Sequence, residues 1–292
     1  MSSASEVREL LARFNLRARK SLGQNFLIDD AALDQIVVAA DLTPDAAVLE
    51  IGPGLGTLTQ RLARAAGRVI AVELDQNLIP ALHDTLAAYP NVELIHGDIL
   101  QLDPSALITK QSDYQTTRLP DDPTTGRSHY KVVANLPYYI TSAVIRHLLE
   151  APLRPSLLIL TMQLEVAQRL IAAPGDLSLL AVSVQFYGKP SLVTRIKAGS
   201  FYPAPKVDSA VVRIDVHPRP PVDVRDVDHF FAVVKAGFGQ KRKQLHNALR
   251  SGLSLPAQVI DAALSQANVD PKRRAETLTL REWAALAEAL HR

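Results

Sequence analysis

The chain of 292 residues contains no cysteine. That absence excludes a disulfide framework, a thiolate zinc site and a cysteine nucleophile. No apolar run reaches the ~20 residues that a membrane span requires, and the first residues lack the apolar stretch of a signal peptide. Arg8, Arg13, Arg17, Arg19 and Lys20 make the N-terminus basic, but Glu6 and Glu9 lie among them, and organelle presequences are poor in acids. A cytoplasmic protein without a membrane partner is therefore expected. There is no internal repeat, and no strong excess of either charge: 32 Lys and Arg stand against 30 Asp and Glu, a net +2.

What is present is ordinary in amount and uneven in distribution. The chain is 47% hydrophobic and 21% charged, which supports a sizeable core in one large domain with a small one beside it. Residues 217–292 carry 12 Lys and Arg against 8 Asp and Glu, whereas residues 1–216 carry 20 against 22. A basic tail on a slightly acidic body suggests a polyanionic partner, although many solvated helices are also basic.

Short apolar strands alternate with helical patterns from the N-terminus onward. Val7, Leu10, Leu11 and Phe14 share one side of a predicted helix over 4–15. A second helix, with Leu33, Ile36 and Val37, precedes a strand at 47–51. Helix 55–66, strand 68–73, helix 77–86 and strand 92–96 follow. This alternation predicts an α/β fold with a parallel, doubly wound sheet. Residues 110–130 are polar and aperiodic, and a long, disordered surface loop is expected there. Beyond it the pattern predicts strand 131–134, a helix near 141–150, strand 157–162, helix 163–172, strand 180–187 and a hairpin of 192–197 with 210–216. HisProArgProPro at 217–221 is a stiff linker. It divides a domain at 1–216 from a domain at 222–292, where helices are expected to start near Asp226, Leu255 and Thr279.

The most informative segment is ValLeuGluIleGlyProGlyLeuGly at 48–56. Gly52, Gly54 and Gly56 follow the first strand of the alternation, where missing side chains let backbone approach a ligand. A dinucleotide fingerprint G-x-G-x-x-G counted from Gly52 would need glycine at 57, which is Thr57. The shorter spacing, with Glu50 two residues before the first glycine, better fits the variant used by S-adenosylmethionine-dependent methyltransferases. That variant holds a nucleoside without a pyrophosphate. Glu73 ends the next strand, 21 residues after Gly52, where a carboxylate can accept from both ribose hydroxyls. Asp98 ends the third strand and is placed to accept from an adenine amino group, with Leu74 or Ile99 packing on the ring.

About eighty residues after the glycine turn, AsnLeuProTyr at 135–138 ends a strand expected beside the first. Methyl transfer from a sulfonium to an exocyclic amine is an in-line displacement that needs neither metal nor strong base. The nitrogen lone pair is delocalised into the ring, so acceptors that favour a pyramidal nitrogen would help. The Asn135 side-chain oxygen and the carbonyl of Leu136 or Pro137 are the candidate acceptors, and Tyr138 is a candidate stacking ring for an extruded base. Phe201, in PheTyrProAlaProLysValAspSer at 201–209, is a candidate for the base's other face. A turn with a core tyrosine would explain AsnLeuProTyr alone; the glycine turn upstream makes the joint pattern more specific.

On these residues the chain strongly resembles the ribosomal RNA adenine dimethyltransferases, and within them the branch acting on the small subunit. LysSerLeuGlyGlnAsnPheLeu (20–27), ValGluLeuAsp (72–75), GlyAspIleLeu (97–100), AsnLeuProTyrTyrIleThr (135–141) and PheGlyGlnLysArgLysGlnLeuHisAsnAlaLeu (238–249) are further matching pieces, in family order. The resemblance implies a seven-stranded Rossmann-like sheet with a small all-helical C-terminal domain. It implies dimethylation of two adjacent adenines near the 3′ end of 16S RNA, with the small ribosomal subunit as partner. Cofactor contacts carry over onto Asn25, Leu27, Gly52, Glu73, Asp98 and Asn135, with Gly54 in the same turn and Gln24 as a further contact at the mouth. A monomer is expected, because the substrate is itself a large particle.

Lys235, Lys241, Arg242, Lys243 and Arg250 are candidates for a phosphate-binding face, which supplies affinity and register rather than sequence choice. Lys272, Arg273 and Arg274 form another basic cluster, and Arg17, Arg19 and Lys20 a third. Three other functions stay open at this level: methylation of an adenine of large-subunit RNA, as in the antibiotic-resistance branch; methylation of a small molecule; and a ribosome-assembly role without turnover.

Overall fold

A computed structural model describes residues 3–109 and 130–291. The loop expected over 110–130 lies outside the described residues except for Tyr130, which begins a strand. The chain runs α1 (Ala4–Arg13), β1 (Phe26–Leu27), α2 (Asp30–Ala39), β2 (Ala47–Ile51), α3 (Thr57–Ala65), β3 (Arg68–Glu73), α4 (Ile79–Leu86), β4 (Val92–His96), α5 (Pro104–Thr109) and β5 (Tyr130–Asn135). It continues through α6 (Thr141–Leu149), β6 (Leu157–Gln163), α7 (Leu164–Leu170), α8 (Leu179–Tyr187), β7 (Gly188–Ile196), β8 (Phe201–Tyr202) and β9 (Ser209–Val216). Helices α9 (Val227–Phe238), α10 (Leu245–Leu253), α11 (Ala257–Gln266) and α12 (Leu280–Leu290) complete it.

Seven strands form one sheet in the order β4-β3-β2-β5-β6-β9-β7. Strands β4 through β6 of that order pair in parallel, and β9 pairs antiparallel with β6. Numbered along the sheet's own chain order this is 3-2-1-4-5-7-6, the doubly wound 3-2-1-4-5-6 arrangement with an antiparallel strand inserted near one edge. The two central strands β2 and β5 meet with Ile51 opposite Ala134. The glycine turn and the Asn135 segment thus leave the same edge of the sheet, at carboxyl ends beside the topological switch, where open α/β sheets bind ligands. A separate two-stranded ribbon pairs Phe26 with Tyr202 and Leu27 with Phe201.

The strands are buried as their apolar sequences require. All five residues of β2 are buried, and one of them is Glu50. Sheets covered on both faces need such continuous apolar runs, so an acid there is an exception with a purpose. Side chains alternate along a strand, which puts Glu50 on the face of Val48. Val48 belongs to a core cluster with Leu33 and Ile36 of α2 and Leu58 and Leu62 of α3. A second cluster joins Val7, Leu10 and Leu11 of α1 to Phe26, Leu55 and Leu82. Helix α1 starts at a capping box, in which Ser3 and Glu6 satisfy each other's backbone N–H.

Three sequence expectations are corrected. Residues 180–187 form helix α8, not a strand: Ser178 caps it by accepting from the Ala181 N–H, and Phe186 stacks on Phe230 at 4.9 Å between ring centroids. A short apolar run has no periodicity to separate a buried strand from a buried helix. Helix α10 has no counterpart among the three starts read in 226–292. The single division between 216 and 222 also differs from the packing, which groups 3–167 with 190–218 and groups 168–189 with 219–291. In the second unit Trp283 is fully buried, and a Cβ on Gly237 would lie 2.4 Å from its ring. No helix among the described residues is long and apolar enough to cross a membrane.

Candidate active site

A cleft with an empty volume of about 1090 Å³, its open mouth included, lies at the carboxyl ends of β2, β3 and β5. Its wall contains the fourteen residues of the first unit read as cofactor or base contacts: Gln24, Asn25, Leu27, Gly52, Gly54, Glu73, Leu74, Asp98, Ile99, Asn135, Leu136, Pro137, Tyr138 and Phe201. Among the described residues, the carboxylic acids of that wall are Glu50, Glu73 and Asp98, with no Lys, Arg or His. A pyrophosphate would meet only like charge there, whereas a cationic nucleoside with hydroxyl and amino donors would meet acceptors.

The glycine turn holds Gly52, Gly54 and Gly56 at φ of +72°, +62° and +84°, backbone that side chains disfavour. At Gly54 a Cβ would also lie 3.1 Å from the Phe26 ring. The Gly54 N–H donates to Glu73 Oε2 at 3.2 Å, and the Asp75 N–H donates to Glu73 Oε1 at 2.8 Å. Burial raises the Glu73 carboxyl above the usual carboxylate range, those N–H donors offset part of the rise, and the Asp75 charge adds to it. Glu50 is 1% exposed, and its Oε2 has no hydrogen-bond partner among the described residues. Burial pushes the Glu50 carboxyl up to about 8, with the Thr59 hydroxyl opposing the shift and the Glu73 charge adding to it. Asp98 Oδ1 accepts from the Leu100 N–H at 3.0 Å, leaving Oδ2 for a ligand.

Asn135 is oriented by its neighbour across the cleft. Its Nδ2 donates to the Asn25 carbonyl at 3.1 Å, which leaves Oδ1 as an acceptor without a partner among the described residues. Asn25 in turn donates to the Gly23 carbonyl at 3.0 Å. Of the two candidate carbonyls, Pro137 already accepts from the Ile140 N–H at 3.2 Å and the Thr141 hydroxyl at 3.4 Å. Leu136 accepts from none of the described residues, so Asn135 Oδ1 and the Leu136 carbonyl are the acceptors left open at this strand end. Tyr138 is held by a 2.7 Å hydrogen bond between its hydroxyl and Ser209 Oγ; burial raises its hydroxyl above the ordinary value and that bond opposes the rise. Phe201 lines the cleft but is 3% exposed, packed in the same cluster as Leu27.

Gln24 lines the mouth, but its amide is engaged. Nε2 donates to Asp75 Oδ2 at 2.7 Å, and Oε1 accepts from the Arg19 N–H at 2.7 Å. Its amide thereby ties the N-terminal segment to the residue two past Glu73. Burial alone would raise the Asp75 carboxyl, but bonds from Gln24, Asn77 and Arg19 bring it below its usual range. Asp75, which accepts from Gln24, and Ser209, which is hydrogen-bonded to Tyr138, are contacts of cleft residues that the sequence offered only as members of longer motifs.

In the second unit Lys235, Lys241, Arg242, Lys243 and Arg250 are all exposed. Arg242, Lys243 and Arg250 share one surface depression with Asn247 and Ser251; Lys235 and Lys241 lie outside it. The 272–274 cluster is not free in the same way, because Arg273 binds the Glu282 carboxylate and the Thr277 carbonyl.

Residues 15–292 match the family described as Ribosomal RNA adenine dimethylase. The chain belongs to that family. A curated relative, Ribosomal RNA small subunit methyltransferase A of Dehalococcoides mccartyi, is 46% identical over 287 residues, covering 98% of this chain and 92% of that one. The protein of the same name from Pelotomaculum thermopropionicum is 46% identical over 292 residues, covering 99% and 97%. Among solved structures, the 23S rRNA methyltransferase ErmE superposes with a TM-score of 0.67 at 29% identity, covering 91% of this chain and 99% of that chain. A dimethyladenosine transferase from Plasmodium falciparum gives 0.73 at 24% identity, covering 89% and 95%, and attests the Rossmann-like fold.

Proposed function

We propose that the protein transfers methyl groups from S-adenosylmethionine to the exocyclic nitrogen of adenine in small-subunit ribosomal RNA, giving N6,N6-dimethyladenosine. The observation that carries this is the wall of the cleft, which among the described residues holds three acids, no Lys, Arg or His, and an asparagine whose amide nitrogen is engaged while its oxygen is not. S-adenosylmethionine, when bound, supplies an electrophilic methyl group on a sulfonium centre.

The residues present fit that group. The buried Glu50 Oε2, without a hydrogen-bond partner among the described residues, leaves a polar atom beside the glycine turn for a ligand group to satisfy. Glu73 is placed for ribose hydroxyls, Asp98 Oδ2 for the cofactor's adenine amino group, and Leu74 and Ile99 for its ring. Gly52 and Gly54 let backbone approach. On the substrate side, Asn135 Oδ1 and the Leu136 carbonyl accept from the target amine and hold its lone pair out of the ring. Tyr138, fixed by Ser209, provides the stacking surface. This is catalysis by position and fixed dipoles. The first unit takes the cofactor and the reaction; the exposed cations of the second unit take RNA phosphates. Small-subunit RNA is favoured over large-subunit RNA because relatives named for the small subunit reach 48% identity, against 29% for ErmE.

The test is transfer from radiolabelled S-adenosylmethionine to purified, under-methylated small and large subunits. Label in the small-subunit RNA is expected. Label confined to the large subunit, or to neither, overturns the proposal.

A further inference from the structure

Tyr139 is the neighbour of the anchored Tyr138, yet its surroundings are opposite. It lines the cleft and is 61% exposed, the one aromatic ring among the exposed large hydrophobic residues described. Its hydroxyl makes no hydrogen bond with any described residue. The ring is backed by the Lys20–Leu22 turn: a Cβ on Gly23 would sit 3.4 Å from Tyr139 Cε1 and 3.2 Å from Pro137 Cβ. Lys20, whose carbonyl accepts from the Gly23 N–H at 3.0 Å, is exposed and has no ion-pair partner among the described residues. An exposed ring lining the cleft and an exposed cation therefore belong to segments that meet at Gly23. Those are the two features of one nucleotide, a base and a phosphate.

An enzyme that modifies a base must take it out of its stack, which leaves the adjacent base without a neighbour. Tyr138 faces the target on the inside. We propose that Tyr139 is a positioning residue for the nucleotide next to the target adenine, stacking on that base while Lys20 meets its phosphate. The role rests on the adenine-methylation reading above and adds to it a contact outside the cleft. It explains why an aromatic ring of the cleft wall stands uncovered. It also gives the site a way to hold two adjacent residues of one strand at once.

The test uses the full chain and under-methylated small subunits, with Tyr139→Phe, Tyr139→Leu and Tyr139→Ala compared with wild type. Stacking of one base corresponds to roughly 5- to 100-fold in affinity. Tyr139→Leu and Tyr139→Ala are therefore expected to raise the KM for the subunit at least about fivefold, and Tyr139→Phe to stay near wild type. Affinity for S-adenosylmethionine, measured by calorimetry, should not change in any of them. A Leu variant as good as wild type would mean a generic apolar contact, such as one with a ribosomal protein, and would overturn the role. So would an unchanged KM in Tyr139→Ala, or a parallel loss of cofactor affinity. Wild-type protein that does not methylate the subunit removes the adenine reading and this role together. Wild-type activity with an indifferent Tyr139→Ala removes this role alone.

Discussion

Glu50 and Asn135 share one cleft and answer to different physics. Glu50 has its carboxyl raised from 4.5 to about 8 by burial, so the folded state binds a proton that the unfolded state has released. Stability is therefore largest below about pH 4.5, as far as this group is concerned, and is lost as pH rises toward 8. Glu50→Gln, which cannot ionise, should flatten that decline in urea unfolding measured from pH 5 to 8, with the residue of the slope belonging to Glu73, raised in the same sense. Asn135→Ala removes the acceptor proposed for the target amine, and should lower kcat about 10²- to 10³-fold. The accompanying loss of its bond to the Asn25 carbonyl should cost only about 1 kcal/mol of stability. Burial of Glu50 was not legible beforehand: an acid in ValLeuGluIle is compatible with a strand end in water, and only the covered sheet desolvates it. Asn25 was reached through resemblance alone, since its partner lies 110 residues away.

Elements with periodic sequences were legible, and those without were not. Helix α1 shows Val7, Leu10 and Leu11 on one side in sequence and in the core. Helix α8 is apolar on nearly every side, and the partner that decides its form, Phe230, is far away in sequence. The glycine turn carries its own reason in the chain, because three positive φ angles demand glycine. Gly54→Ala adds a strained φ to a 3.1 Å approach to Phe26. It should destabilise the protein by about 1 kcal/mol or more and weaken S-adenosylmethionine binding, read by thermal melting with and without cofactor. At the other end of the chain Gly237→Ala would set a methyl group against Trp283 and should lower Tm by several degrees, for about 1–3 kcal/mol of overpacking.

At the scale of the whole molecule, the doubly wound parallel sheet was legible because short apolar strands alternate with helices, and the cleft residues gather because their motifs fall at strand ends. How the chain divides was less so: proline-rich 217–221 marks a linker, but nothing local assigns 168–189 to the helical unit. The uneven charge noted in the sequence becomes a group of exposed cations around Arg242, Lys243 and Arg250. Reversing Lys241, Arg242 and Lys243 to Glu should weaken binding to the small subunit and make its salt dependence shallower, by about 2 in the slope of log affinity against log salt. Cofactor affinity should be untouched; a filter-binding titration across salt concentrations checks both. The most direct measurement of the central claim is mass spectrometry of nucleosides from under-methylated small subunits incubated with S-adenosylmethionine and either wild type or Asn135→Ala. N6,N6-dimethyladenosine formed by wild type and lost with Asn135→Ala is the predicted result. Methylation at another base, in large-subunit RNA only, or undiminished without the asparagine would contradict it.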